Sequence, residues 1–171
     1  LFIDEAYSLV DDKDGLFGDE AINTIVQEME NQRDDTVVIF AGYPDKMEQF
    51  LKKNPGLRSR IAFHIPFEDY KPAELLDIFT LMAKKQKLEL APLVRERLLS
   101  IFSLATTQPD FGNGRFVRNL LEKSRMKQAS RLVRLDPDTV TMEMVSTLIP
   151  EDIDEPQLPQ KEERRVLGFC A

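Results

Sequence analysis

Three short apolar runs in the first 70 residues are separated from one another by turns and by sequence with helical periodicity. The runs cover residues 1–3, 36–41 and 61–67, and the second is rich in β-branched side chains. Between the first two runs, apolar residues recur at helical spacing from Ala21 to Met29. Strands that alternate with helices predict an α/β layered sheet, and near-continuous apolar runs are typical of parallel strands covered on both faces.

The connections between these elements carry turn and capping signals. The segment from Tyr7 to Gly18 is polar and rich in aspartate and glycine, which predicts a loop, and Asp19 is placed to cap the following helix. A short helix is predicted around Met47, and the sequence Asn-Pro-Gly at residues 54–56 should end it.

The pattern becomes purely helical after Tyr70, which predicts a second, smaller subdomain. Apolar residues at helical spacing, introduced by Pro72, mark the first of its helices. From Pro150 the charges and prolines cluster, which predicts a mobile tail. We therefore expect an α/β part over residues 1–70, a helical part over 71–149 and a tail over 150–171. Helices are predicted over residues 72–83, 93–105, 115–134 and 141–149.

Composition argues against several classes of partner and site. The 171 residues include 23 basic and 30 acidic side chains, and this net charge of −7 makes nucleic acid an unlikely partner. No apolar run approaches the roughly 20 residues of a membrane span, so no membrane partner is expected. The single cysteine, Cys170, allows neither a disulfide framework nor a four-ligand zinc site, which suits a reducing compartment, and we expect a cytoplasmic protein.

The adjacent carboxylates Asp4 and Glu5 follow the first apolar run directly. Side chains alternate along a strand, but a bend at the strand end allows both carboxylates to face one crevice. In a magnesium–nucleotide site the first would organise the metal and its waters, and the second would act as general base toward the attacking water. Acidic residues also occur at strand ends because those ends reach solvent, so this alternative stays open on pattern alone.

Two pairs of arginines could contact an anion. Arg58 and Arg60 lie between the predicted end of a helix and the third strand, and a guanidinium matches phosphate geometry. Arg115 and Arg118 lie one turn apart at the start of a predicted helix, where anions are favoured. A solvated turn for the first pair, and a surface ion pair with Glu122 for the second, are the alternatives.

A phosphate-binding loop is missing from this sequence. Such a loop needs a glycine-rich turn that ends in Gly-Lys, and none of the seven glycines is followed by lysine. The chain begins with Leu1 inside an apolar run and not with methionine. We therefore expect it to be a part of a longer protein.

Four motifs occur in order and together resemble the AAA+ ATPases of the CbbX and stage V sporulation protein K group. The resemblance covers residues 1–149, and the motifs make a chance match improbable. They are LFIDEAYSL at residues 1–9, VIFAGYPD at 38–45, NPGLRSR at 54–60 and FGNGRFVRN at 111–119.

The resemblance implies a role for each site residue. Asp4 and Glu5 match the Walker B pair, with Asp4 holding Mg²⁺ through water and Glu5 as the catalytic base. Arg60 matches the arginine finger that reaches the nucleotide of a neighbouring subunit, and Arg58 is the alternative. Arg115 matches the sensor 2 arginine of the helical lid, which couples the lid to the γ-phosphate.

Further positions are assigned less directly by the same resemblance. Arg118 is the alternative to Arg115 in binding nucleotide. Many AAA+ proteins carry a polar sensor 1 residue where this chain has Gly42 and Tyr43, and the hydroxyl of Tyr43 could position a water instead. The segment from Tyr7 to Gly18 would lie near the pore of a hexameric ring.

The resemblance also implies the biology: a homo-oligomer, with a hexameric ring expected, that uses ATP and Mg²⁺ to remodel a protein client. The Walker A strand of the fold would lie between the strands at residues 37–41 and 61–67, so the 171 residues alone should be marginally stable and hydrolyse no ATP. The alternative is a scaffold or interaction module that works without nucleotide. A phosphate-binding loop about 50 residues upstream of Leu1 would favour the ATPase.

Overall fold

The computed structural model describes residues 1–10, 18–108 and 111–155. It divides into two compact units, Leu1–Phe67 and Glu68–Ala171. Each unit contains one two-stranded parallel sheet and its own apolar core. Short parallel strands followed by a helical unit agree with the predicted order of an α/β part and a helical part. Of the helices in the described ranges, none is long and apolar enough to cross a membrane.

The first unit packs three helices and a 3-10 turn around its short sheet. Strand β1 (Phe2–Ile3) pairs in parallel with β2 (Ile39–Phe40), as predicted. The helices are α1 (Gly18–Asn31), α2 (Pro44–Lys53) and α3 (Pro55–Arg60). Proline at the first position suits α2 and α3, because its missing N–H would have no partner there. The buried core residues are Ala6, Tyr7, Ile22, Phe50, Leu51 and Leu57.

Two predictions for the first unit are wrong. Residues Ala6–Val10 form a 3-10 helix in which Ala6 and Tyr7 are buried, so the predicted loop does not begin at Tyr7. Residues 11–17 of that loop lie outside the described part of the chain. Proline in Asn54-Pro55-Gly56 ends α2 but also begins α3, so Arg58 and Arg60 lie on a helix and not in a turn.

The predicted third strand over residues 61–67 is also absent from the described structure. In the described ranges, residues 61–67 are assigned to no strand, and the sheet of the first unit consists of β1 and β2. Phe63 is 84% exposed and Phe67 is 94% exposed. An apolar run of this kind forms a strand when a neighbour accepts and donates its backbone hydrogen bonds, and the described residues supply none.

The second unit is a helical bundle with a small parallel sheet at one end. Helices α4 (Pro72–Lys85), α5 (Pro92–Ala105) and α6 (Asn113–Val133) match three of the predicted helices. Their core is formed by fully buried aromatic and aliphatic side chains, and Phe79 and Phe102 are at its centre with ring centroids 6.4 Å apart. The other members with no exposed surface are Leu75, Val94, Leu98, Val117, Leu121, Leu148 and Ile153.

The end of the second unit differs from the prediction. The fourth helix is short, α7 (Met142–Ser146), and is followed by strand β4 (Thr147–Leu148), which pairs in parallel with β3 (Glu89–Leu90). The chain then forms a 3-10 turn over Pro150–Asp152. Ile153 is fully buried in the core, so the predicted tail does not begin at residue 150. Residues 156–171 lie outside the described ranges.

Candidate functional site

Backbone hydrogen bonds fix the two carboxylates at the carboxyl end of β1. The amide of Ala41 donates to the carbonyl of Ile3 at 2.8 Å, and the amide of Ala6 donates to the carbonyl of Ala41 at 3.0 Å. Asp4 and Glu5 therefore lie between two residues that both bond to the end of β2. Ligands of open α/β sheets bind at this carboxyl edge.

The chain bends at Glu5, at the strand end where the sequence analysis allowed for a bend. Glu5 has a φ of 48°, which is a left-handed conformation that costs a residue with a side chain about 1–3 kcal/mol. Alternation of side chains therefore stops at Asp4, and the Oδ1 atom of Asp4 accepts the amide N–H of Glu5 at 3.0 Å. Both side chains are exposed. Left-handed strain of this kind is concentrated at functional sites.

The donor set at this edge suits a magnesium ion held partly by water. Asp4 is an exposed carboxylate with one oxygen engaged by the backbone, and Mg²⁺ binds through one or two carboxylates while keeping several waters. In the described part of the chain, no group of three histidine, cysteine or acidic side chains could hold a metal by itself. Asp4 therefore suits a hydrated ion better than an ion held by protein ligands alone.

Gly42 and Tyr43 follow β2 at the same edge. A Cβ atom at position 42 would lie 2.8 Å from the ring of Tyr7 and 2.9 Å from the sulfur of Met47, so no side chain fits there. The ring of Tyr43 is 58% exposed and lies 6.4 Å from that of Tyr7. Lys46 places its ammonium 4.6 Å from the Tyr7 ring centroid and 5.9 Å from that of Tyr43. Tyr43 thus follows β2 at the edge where Asp4 and Glu5 follow β1, and its ring lies near Tyr7 and Lys46.

The two arginines of α3 have different surroundings. Arg60 pairs with Glu30 of α1, with both its Nε and its NH2 atoms 3.3 Å from Oε2, and also donates to the carbonyl of Gly56 at 3.2 Å. Arg58 is exposed and forms no ion pair within the described residues. Its charge contributes to lowering the pKa of Glu48, after the larger contributions of Lys52.

Arg115 and Arg118 lie in the first two turns of α6 in the second unit, and both are exposed. Neither guanidinium forms an ion pair with Glu122 or with another acid in the described ranges. The structure thus groups Asp4, Glu5 and Tyr43 at one sheet edge of the first unit and places Arg115 and Arg118 on one helix of the second.

Asn113, the first residue of α6, has a structural role that no sequence pattern predicted. Its Oδ1 atom accepts the amide N–H of Tyr70 at 3.0 Å, and its Nδ2 donates to Oδ1 of Asp69. The signal in the sequence was an asparagine directly after Gly112, since both residues tolerate positive φ.

Comparison with known proteins decides the family. Residues 71–164 match the family model described as the AAA lid domain. The chain belongs to the AAA+ family. The lid match falls within the second unit and contains α4 to α7.

Curated relatives place this AAA+ chain near CbbX, as the four motifs predicted. It is 44% identical over 162 residues to a CfxQ homolog from Guillardia theta, covering 94% of this chain and 55% of the relative. It is 45% identical over 154 residues to CbbX from Cereibacter sphaeroides, covering 90% of this chain and 50% of the relative.

A third relative carries a more specific name. It is the chloroplastic ribulose bisphosphate carboxylase/oxygenase activase of Cyanidioschyzon merolae, 45% identical over 154 residues, which are 90% of this chain and 53% of the relative. The AAA+ chain therefore spans about half the length of the curated relatives that it matches.

Proposed function

We propose that this AAA+ chain contributes the hydrolytic carboxylates, an arginine finger and the lid arginine to an ATPase that remodels a protein client. The observation that carries the proposal is the pair Asp4 and Glu5 at the carboxyl edge of two parallel strands, with left-handed backbone at Glu5. Nucleotides bind at this edge in related sheets. The lid family match supports the same reading.

Each proposed role follows from what the side chain can do. Glu5 is an exposed carboxylate that can accept the proton of a water attacking the γ-phosphate, so that phosphate and ADP are the products. Asp4 would hold Mg²⁺ through water; when bound, that ion neutralises charge on the phosphates. Tyr43 orients water through its hydroxyl. Arg60, with Arg58 as the alternative, stabilises charge in the site of the neighbouring subunit.

The lid arginines complete the proposed site. Arg115, with Arg118 as the alternative, contacts the nucleotide and couples the lid to the state of the γ-phosphate. We propose a hexameric ring as the assembly, because Arg60 in its proposed role reaches the nucleotide of a neighbouring subunit and therefore needs a repeated interface between subunits. Ribulose bisphosphate carboxylase is the first client to test, because one relative is named as its activase. The cytoplasmic location stays a prediction.

A chimera tests the hydrolytic role directly. The part of Cereibacter sphaeroides CbbX that precedes the matched segment is joined to Leu1, since this chain supplies the other half. We expect the chimera to hydrolyse ATP and the 171 residues alone to be inactive, because they have no phosphate-binding loop. In the chimera, Glu5→Gln should abolish turnover while ATP binding persists.

Glu96→Gln is the matched control, because Glu96 is an exposed acid on α5 that forms no ion pair in the described structure. It should leave turnover unchanged. Equal turnover in the Glu5→Gln and unaltered chimeras would contradict the proposed base. A chimera that neither binds nor hydrolyses ATP, yet still binds a client, would support the nucleotide-independent scaffold instead.

A further inference from the structure

We propose that Asn113 is a positioning residue that joins the start of the second unit to the arginine-bearing turn of α6. Its side chain accepts the amide N–H of Tyr70 and donates to the carboxylate of Asp69, 43 and 44 residues earlier in the chain. We call these three residues the Asn113 bridge. Asp69 and Tyr70 are the second and third residues of the second unit, which begins at Glu68.

The backbone at the start of α6 has a left-handed conformation that asparagine tolerates. Gly112 has a φ of 82° and Asn113 a φ of 46°, both left-handed. Asparagine adopts this conformation more readily than most residues. The carbonyl of Gly112 accepts the amide N–H of Arg115 at 3.0 Å, which fixes the first turn of the helix. The residue that holds Asp69 and Tyr70 therefore lies only two positions before Arg115.

The other end of the bridge is fixed as well. The amide of Lys71 donates to Oε2 of Glu74 at 2.8 Å, which caps the start of α4. Two consecutive backbone amides, those of Tyr70 and Lys71, are thus satisfied by side chains from two different helices. The bridge thus links Asp69 and Tyr70 to the turn that carries Arg115, so a displacement of one end would act on the other. Any effect of the bridge on ATP hydrolysis through Arg115 rests on the proposed function.

Hydrogen exchange of the 171-residue chain tests the bridge without any nucleotide. Asn113→Gly keeps the left-handed backbone accessible and removes both side-chain bonds. We expect the Tyr70 amide to exchange about three- to tenfold faster, the factor expected for one net hydrogen bond. Amides in the centres of α4 and α5 should keep their protection. Unchanged exchange at Tyr70 would overturn the bridge.

Glu74→Ala is the matched control, because it removes the neighbouring side-chain acceptor. Glu74→Ala should speed the exchange of the Lys71 amide and leave the exchange of the Tyr70 amide unchanged. Release of both amides in either variant would mean that the segment opens as a whole, and would overturn a specific role for Asn113.

A charge exchange gives a second, independent test. Asn113→Asp retains the acceptor for Tyr70 but sets a carboxylate against Asp69, so exchange at Tyr70 should rise. Adding Asp69→Asn restores the side-chain hydrogen bond in the opposite direction, because the amide of residue 69 can then donate to the carboxylate of residue 113. The exchange rate of the Tyr70 amide should return to within about twofold of that of the original chain. A double variant that exchanges as fast as Asn113→Asp would show that the pairing is not specific.

The chimera then tests whether the bridge serves the arginines. Asn113→Gly should lower kcat for ATP about three- to tenfold and keep the affinity for ADP within twofold, because ADP lacks the γ-phosphate. If Asn113→Gly speeds the exchange of the Tyr70 amide but leaves kcat unchanged, the link between the bridge and Arg115 is wrong. If the unaltered chimera is inactive, the proposed function fails, while the exchange measurements still decide the bridge.

Discussion

The ring of Tyr7 occupies the space that a side chain at position 42 would need, and only 2.8 Å separates the ring from a Cβ built on Gly42. Tyr7 is buried in the core of the first unit, so its ring cannot simply move into solvent. The resemblance places the usual polar sensor residue at Gly42 or Tyr43, and at position 42 a side chain would collide with Tyr7 and Met47. An asparagine at position 42 and a buried tyrosine at position 7 are mutually exclusive in this packing.

Gly42→Ala should destabilise the first unit by about 1–3 kcal/mol, because the added methyl group overpacks against Tyr7 and Met47. Urea unfolding measures the loss. Gly114→Ala is the matched control: nothing lies within 4 Å of its Cβ position and it is helical, so it should be neutral or stabilising by up to about 1 kcal/mol. Equal effects of the two substitutions would contradict the steric explanation.

Arg131→Met should destabilise the second unit by about 2–3 kcal/mol. Asp152 is only 1% exposed and receives two hydrogen bonds of 2.9 Å from Arg131, so the substitution leaves a buried carboxylate unpaired. The loss is below that of a fully buried pair because a quarter of the Arg131 side chain is exposed. Circular dichroism during urea unfolding measures it.

Arg134→Met provides the comparison for Arg131, since Arg134 is exposed at the end of the same helix. Its effect should stay within about 0.5 kcal/mol. An Arg131→Met protein as stable as the original would show that the ion pair adds nothing to the fold.

Arg60 should act in trans, and mixed rings of the chimera test this. Arg60→Ala should lower ATP turnover by on the order of 10³, as for other arginine fingers. Its surface pair with Glu30 is worth at most about 1 kcal/mol, so Arg60 can leave that partner. Mixing Arg60→Ala subunits with inactive Glu5→Gln subunits should restore measurable turnover, because each supplies what the other lacks.

Glu30→Gln is the control for the Arg60 experiment and should leave turnover unchanged. If mixed rings stay as inactive as either parent, Arg60 does not serve a neighbouring site, and the same experiment repeated with Arg58→Ala examines the alternative.

The pKa of Glu48 should rise toward its ordinary value in Lys52→Gln. The pKa is lowered chiefly by the hydrogen bond from Lys52, which lies 2.7 Å away, then by the charge of Lys52, while desolvation opposes the shift. A lowered pKa means that the pair stabilises the fold above the unfolded-state pKa and that this contribution is lost as the pH falls through the folded-state pKa. Titration by nuclear magnetic resonance measures the change.

Arg58 contributes the smallest of these effects on Glu48, so Arg58→Gln should raise the pKa less than Lys52→Gln does. Lys53→Gln serves as the control, because Lys53 is not among the causes of the shift. A larger effect from Arg58 than from Lys52 would reverse the assignment.

Local sequence predicted the long helices and the strand before Asp4, because helical periodicity and apolar runs are set by neighbouring residues. It failed where structure depends on distant partners. Residues 61–67 have the composition of a strand but no neighbouring strand in the described structure. Strands β3 and β4 have two residues each and pair across 58 positions, so no local pattern marks them.

In the candidate site, too, features set by neighbouring residues could be predicted and features that depend on distant residues could not. Asp4 and Glu5 were predicted from their place after an apolar run, and the left-handed φ of Glu5 gives the bend that this prediction required. The burial of Tyr7 could not be predicted, because it depends on a glycine 35 positions away that leaves room for the ring. Nor could the role of Asn113 be found, since both its partners lie more than 40 residues away.

The burial of Ile153 also matters for anyone who exchanges lids between relatives. Ile153 lies between two residues that bind α6. Asp152 accepts hydrogen bonds from Arg131, and Asp154 pairs with Lys127. A lid that ends at Ile149 would lack the buried side chain of Ile153 and would leave a cavity in the core of the second unit. A transplanted lid that keeps the chain through Glu155 retains Ile153 and therefore a filled core.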